Sequence, residues 1–200
     1  MAISNGYCTL TELKDALRII DSVDDSLLEM AVESASRAID GYAQRNFYAS
    51  GTATRTFAAD DSWICQIDDT FTSSPTVVTC SDGINFDTTW DATDFQLEPL
   101  NGVADGLAVP FTRMRAVLRY GFPVNNGQGL IRVTANWGYL SVPIQIKQAC
   151  VIQASRFFKR LESPLGVAGF GDLGAISISR DIDPDVAQMV TPFQRRRDYV

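Results

Sequence analysis

The hydrophobic pattern of this chain changes period twice, and that double change restricts the possible folds more than any single motif. Up to about residue 50 apolar side chains recur at steps of three and four, and from about 141 the same step returns. Between them, from about 53 to 138, stand short β-branched and aromatic runs broken by turn formers. A helical period and a strand period cannot substitute for one another, so the sequence predicts an α+β fold: a helical body interrupted by an inserted β-rich region. The expected boundaries are 1–50 for two N-terminal helices, 51–140 for the insertion and 141–162 for a long helix completing the body. Residues 163–200 then make a glycine-rich loop, a short helix and an extended C-terminal tail.

Local signals fill in this outline. Thr9-Leu10-Thr11-Glu12 has capping-box spacing and predicts a helix from there to about Ile20. Asp24 or Asp25 can cap a second helix, on which Leu28, Ala31, Ala35, Ala38 and Tyr42 share a face. Glu33 and Arg37 are spaced to pair at i,i+4. Strands are predicted at 54–57, 63–67, 76–80, 95–97, 115–119 and 130–136, with turns at Ser81-Asp82-Gly83, Asn101-Gly102, Asp105-Gly106 and Asn125-Asn126-Gly127. Pro143 opens the long helix, whose apolar stripe is Ile146, Cys150, Ala154, Phe157 and Leu161. Asp183-Pro184 reads as the cap and first residue of a helix to about Val190, and Pro192 stops it.

The residue inventory excludes several chemistries. The chain contains no histidine, which removes Ser-His-Asp and Cys-His catalysis and the usual zinc sites. Cys8, Cys65, Cys80 and Cys150 form no C-x-x-C pair and read as small buried hydrophobes of a reducing compartment. Lys14, Lys147 and Lys159 fall on helices, where a solvated face accounts for them. Gly169-Phe170-Gly171-Asp172-Leu173-Gly174 matches G-x-G-x-x-G, but a helix precedes it and 175–180 alternates like a strand, the reverse of a dinucleotide-binding context. A mobile glycine-rich loop is the expectation, with no cofactor and no metal. No secretory signal and no membrane span are predicted either.

Charge is unevenly placed. Between Arg55 and Arg113 lie ten acidic residues and no basic one, against a total of 24 acidic and 17 basic residues. Asp60-Asp61 and Asp68-Asp69 lack the D-x-[DN]-x-[DN]-G arrangement of a calcium loop. A solvated β surface explains the acidity; the alternatives are a surface that repels passing DNA, or a pair of carboxylates at catalytic separation.

The two ends resemble one family. The pattern Thr9-Leu10-Thr11-Glu12-Leu13, then Leu28 through Ile39-Asp40-x-Tyr42-x-x-Arg45-x-Phe47, then Val142-Pro143-x-x-Ile146-Lys147-x-Ala149, is similar to that of the head-to-tail connector, or adaptor, proteins of long-tailed bacteriophages. The glycine-rich loop, Asp183-x-Asp185-Val186 and the arginine-rich end fit the same pattern, and the middle region lies outside it. The resemblance implies a non-enzymatic virion protein: a ring of about twelve copies at the head-tail neck, assembled in the host cytoplasm, that binds the portal protein, offers a platform to a neck or tail protein and lets DNA pass without specific binding. It further implies ring packing through Leu28, Ala31, Ala35, Ala38, Tyr42, Ile146 and Phe157, and portal docking through Phe193, Arg195, Arg196, Arg197 and Tyr199. A stopper-like or tail-completion protein, and more remotely a carboxylate-dependent enzyme, are the competing readings.

Overall fold

The computed structural model describes residues 3–104, 106–117, 121–162, 167–169, 175–177 and 182–195. It is a mixed α+β structure whose chain divides into two compact units, Met1–Phe47 with Val142–Val200, and Tyr48–Ser141.

The first unit holds four helices: α1 (Leu10–Leu17), α2 (Asp25–Ala43), α3 (Ile144–Glu162) and α4 (Pro184–Val190). The Thr9 hydroxyl accepts from the Glu12 amide, and the Glu12 carboxylate accepts from the Thr9 amide at 2.8 Å, so the capping box closes. α1 ends at Leu17 rather than near Ile20. Arg18 turns into the left-handed region at φ 58, and the Arg18 and Ile19 amides donate back to the Asp15 and Lys14 carbonyls, completing a C-cap that leaves Ile20 98% exposed. Asp24 is the N-cap of α2, where its carbonyl accepts from the Leu27 and Leu28 amides and its side chain caps nothing.

The core of this unit consists of Leu28, Val32, Ala35, Ile39 and Ala43 of α2 with Ile146, Ala149, Cys150 and Ala154 of α3, all buried. α4 begins as its sequence predicts: the Asp183 carboxylate accepts from the Asp185 amide, with Pro184 at the first helical position. Val186 and Val190 are its buried residues. A 3₁₀ turn, Thr191–Phe193, follows.

The second unit is a curled antiparallel sheet. Its strands are β1 (Ala49–Phe57), β2 (Ile64–Thr70), β3 (Thr76–Thr79), β4 (Thr88–Trp90), β5 (Phe95–Glu98), β8 (Phe111–Ala116) and β9 (Ile131–Gly138), in the order β4-β3-β9-β2-β8-β5 with β1 on β9. A small hairpin of β6 (Val103–Ala104) and β7 (Leu107–Ala108) stands apart from this sheet. β9 organises the unit: β1 pairs along its length, from Ala49 opposite Gly138 to Phe57 opposite Ile131, while β3 takes Ile131 to Thr134 and Thr70 of β2 takes Trp137. Ile131, Val133, Ala135 and Trp137 point inward in strict alternation, joining Cys65, Ile67, Val77, Phe95 and Met114 in the core. Trp90 stacks on Phe122 with centroids 4.7 Å apart and donates its indole N–H to the Thr79 hydroxyl.

The predicted turns carry the expected positive φ at Gly83, Asn101, Gly102, Gly106, Asn126 and Gly127. The strand predicted at 115–119 lies earlier, at Phe111–Ala116, because its pairing with β5 runs from Phe95 opposite Ala116 to Glu98 opposite Arg113. Within the glycine-rich region, β10 (Val167–Gly169) and β11 (Ala175–Ser177) pair antiparallel. The remainder of the G-x-G-x-x-G sequence lies outside the described residues.

Candidate functional site

The residues singled out by sequence divide according to where the helical unit puts them. Leu28, Ala31 and Ala35 of α2 and Ile146 of α3 are buried within the one chain, while Ala38, Tyr42 and Phe157 are half-buried. The stripe read from sequence shares Leu28, Ala31 and Ala35 with the observed one but is rotated relative to it, since the buried residues of α2 are Leu28, Ala31, Val32, Ala35, Ser36, Ile39 and Ala43. Alanine and tyrosine at 38 and 42 fit the same three-four step, and only the position of α3 decides which row faces inward.

Phe193, expected at the docking end, is 5% exposed and packs edge to face on Phe47 with centroids 6.0 Å apart. Phe47 in turn meets the Tyr7 ring at 5.7 Å. The segment carrying Phe193 is tied to the end of α2: the Gln194 side chain donates to the Tyr42 carbonyl, the Arg195 amide to the Ala43 carbonyl at 2.9 Å, and the Tyr42 and Thr191 hydroxyls share a hydrogen bond. Phe193 belongs to the core. Its neighbouring arginines make the segment look solvated in sequence, while nothing local records the Phe47 ring that covers it. Arg196, Arg197 and Tyr199 lie outside the described residues.

A buried polar cluster locks the N-terminal segment to α2 and α3. The Tyr7 amide donates to the Ser36 hydroxyl, which donates to the Val32 carbonyl at 2.8 Å. The Tyr7 phenol hydrogen-bonds Asp40 and accepts from the Phe47 amide at 2.8 Å. Burial and the Asp40 carboxylate push this phenol above the ordinary tyrosine range, so it is held as a neutral donor. Cys8 and Cys150 bring their sulfurs within 3.5 Å, and donation to Cys150 together with burial raises the Cys8 thiol. All four cysteines are free and buried, and burial pushes Cys65 up to about 12.

Two of the candidate lysines stand in ion pairs, Lys14 with Asp25 at 2.6 Å and Lys147 with Glu12 at 2.8 Å; Lys159 is exposed. The hydrogen bond from Lys147 and that from the Thr9 amide hold Glu12 below the usual carboxylate range, and Glu12 raises Lys147. Arg37 reaches Asp40 at 2.9 Å and, more loosely, Glu33 at 3.8 Å.

The acidic region of the β unit has structural work for several of its carboxylates. Asp61 accepts from the Trp63 and Ile64 amides, and Asp82 from the Ile84 and Asn85 amides, closing Asx-type turns. Those bonds hold Asp82 far below the usual range. Asp94 accepts from the Asp91 amide. Asp68 pairs with Arg55 at 2.6 Å, and Glu98 bridges Arg113 and Arg115. Although burial alone would push Glu98 up, the two guanidinium hydrogen bonds leave it below its ordinary value. Among the described residues, no three Asp, Glu or Cys side chains gather as a metal site, and no helix is long and apolar enough to cross a membrane.

No protein-family model and no curated protein matches the chain. Its fold, however, has solved counterparts. The whole chain superposes on a chain described as "Neck of native GTA particle computed with C12 symmetry", with a TM-score of 0.58, 18% identity and coverage of 100% of this chain and 94% of that one. A second, "Neck of empty GTA particle computed with C6 symmetry", matches with a TM-score of 0.57, 16% identity and coverage of 100% and 95%. The chain has the fold of these neck proteins. GTA denotes a gene transfer agent, a phage-like particle. At these identities the likeness is one of fold, and it extends through the β unit that the sequence resemblance leaves uncovered.

Proposed function

We propose that this chain is a non-enzymatic neck protein of a tailed, phage-like particle: a head-to-tail adaptor that forms a ring, seats on the portal and joins the DNA-filled head to the tail. The observation that carries the reading is the end-to-end similarity to neck chains, since both units are matched and almost nothing of the neighbours is left over. The two neighbours come from particles treated with sixfold and twelvefold symmetry, which supports a closed ring of copies here as well. Sequence adds the adaptor pattern of Thr9–Leu13, Asp40-x-Tyr42 and Val142-Pro143.

In this role the protein works by positioning. The Tyr7–Ser36–Asp40 cluster and the Phe47–Phe193 contact fix both ends of the helical unit, so that Arg195 leaves the core at a defined point beside Ala43. Arg196, Arg197 and Tyr199 then serve as the docking part, arginine and tyrosine being residue types that anchor interfaces. Individually weak contacts repeated around a ring give avidity for a finished portal. The net charge of −7, concentrated in the β unit, disfavours adhesion of DNA moving through the neck.

The test is co-sedimentation of the chain with portal rings encoded beside it. Binding that is lost in the Arg196→Ala/Arg197→Ala/Tyr199→Ala variant supports the adaptor reading. Absence of portal binding by the unaltered chain, with binding instead to an assembled neck ring or a tail tip, points to a stopper-like or tail-completion protein and overturns it.

A further inference from the structure

Cys8 and Cys150 stand 142 positions apart in sequence, yet the helical unit sets their sulfurs 3.5 Å from each other in its interior. Each arrives by a different route. Cys8 lies in the irregular segment before α1, just ahead of the Thr9 cap, and Cys150 lies within α3. The other two cysteines are arranged otherwise: in the β unit, Cys65 turns its sulfur to the Ala58 carbonyl at 3.9 Å and Cys80 to the Asp82 carboxylate at 3.3 Å. Burial alone is served as well by alanine or valine, whereas two thiols in contact can also be joined by oxidation.

The sulfurs of a disulfide are about 2.05 Å apart, so the pair has about 1.5 Å to close. α3 is regular helix at Cys150, and the adjustment falls on Cys8, whose backbone belongs to no helix or strand. Cys8 donates to Cys150, which also contacts the Ser36 hydroxyl at 3.4 Å. The hydrogen bond from Cys8, and after it the one with Ser36, hold the Cys150 thiol below its ordinary value despite burial. Cys150 is therefore the sulfur prepared to attack, and Cys8 the one presented to it. The segment that carries Cys8 is otherwise held on α2 by hydrogen bonds: the Ser4 amide donates to Glu33, the Asn5 carbonyl accepts from Arg37, and the Tyr7 amide donates to Ser36. A bond at Cys8 would add a covalent tie to α3.

We propose that Cys8 and Cys150 are a redox pair that closes reversibly into a disulfide, clamping the N-terminal segment onto α3 when the chain moves from reducing to oxidising surroundings. The oxidant is a low-molecular-weight disulfide. Opening of the segment brings Cys8 to water, where it loses its proton and attacks one sulfur of the oxidant, forming a mixed disulfide and releasing one small thiol. As the segment closes, the Cys150 thiolate attacks Cys8 Sγ. The bond from Cys8 to the second small thiol breaks, and that thiol leaves with the electron pair and takes up a proton. In sum the protein loses two thiol hydrogens and one small disulfide is reduced to two thiols. Because the link closes a loop of 142 positions, it restricts the unfolded chain strongly. Because Tyr7 adjoins Cys8 and hydrogen-bonds Asp40 and the Phe47 amide, the clamp holds that cluster as well. The neck reading supplies only the occasion: a particle assembled inside a cell and released from it meets that change once.

The experiment holds the folded, unaltered chain first in excess glutathione and then in excess glutathione disulfide, alkylates free thiols under denaturing conditions, and maps the peptides by mass spectrometry. In the first buffer all four cysteines should be alkylated. In the second, only Cys65 and Cys80 should be, with a peptide linking Cys8 to Cys150 that dithiothreitol abolishes. In the linked form, amide hydrogen exchange across residues 4–8 should slow at least about tenfold and the urea midpoint should rise. The Cys8→Ala variant should show neither change between the two buffers. Four alkylated cysteines in both buffers, glutathione adducts without a link, or a link through Cys65 or Cys80 overturns the pair. So does a link that forms only in chain unfolded by urea, because the fold is then not what joins the sulfurs. A Cys8–Cys150 link with unchanged exchange across the segment, or the same midpoint rise in Cys8→Ala, overturns the clamp. None of these outcomes involves the particle, so a failure here leaves the neck reading intact, and a failure of that reading leaves the pair intact.

Discussion

Replacing Phe193 by alanine separates its role as a core residue from the docking role that its sequence context implies. The ring is 5% exposed and edge-on to Phe47. Truncation withdraws roughly 150 Å² of apolar surface from the core, worth about 4 kcal/mol at roughly 25 cal/mol per Å². A compact unfolded state reduces that figure and the residual cavity restores part of it, so about 3 kcal/mol is expected. Domains of this kind have only about 5–15 kcal/mol in total, so the loss is a large fraction. In urea titration followed by circular dichroism, Phe193→Ala should unfold at clearly lower denaturant. Hydrogen exchange should show lost protection across Val186–Phe193 and at the Tyr7–Phe47 contact, because the same ring joins them. A cost below about 1 kcal/mol, with α4 protection unchanged, would refute the reasoning and return Phe193 to the docking surface.

Three further perturbations probe independent parts. Gly138 has φ +87, and a Cβ there would lie 2.1 Å from the Tyr48 carbonyl oxygen, so Gly138→Ala should cost at least about 2 kcal/mol; Gly41→Ala in the isolated chain, on an open helix face, should instead stabilise by up to about 1 kcal/mol. Ser36→Ala leaves the buried Tyr7 amide without its acceptor and should cost about 1–3 kcal/mol in urea unfolding, an effect absent from Ser26→Ala on the exposed side of α2. Glu98 has a folded pKa below its unfolded value, so its contribution is fully present above about pH 4.3 and disappears as pH falls through the lower folded value; Glu98→Gln should cost about 1–2 kcal/mol at neutral pH and flatten the acid limb of the stability profile.

How much of this was readable depends on how local the cause is. The Thr9–Glu12 capping box and the Asp183-Pro184 start are contained within four residues, and both appear as the sequence predicts. The alternation of Ile131, Val133, Ala135 and Trp137 is likewise a property of one strand. The facing of α2 is not local: several three-four rows fit its sequence, and the position of α3 makes Val32, Ser36 and Ile39 the buried ones instead of Ala38 and Tyr42. β4 escaped because Thr88–Trp90 is three residues long beside Asp87 and Asp91, and only its pairing with Val77–Thr79 makes it a strand. At the candidate docking end, the arginine run drew attention to charge, whereas Phe47, 146 positions away in sequence, determines where Phe193 goes.

The central claim, that this is a neck component, is tested most directly by locating the chain in the particle. Electron microscopy of particles assembled with a gold-labelled copy should show several labels clustered at the single vertex where head meets tail. Labels spread over the head shell or along the tail, or particles that form without any, would contradict it.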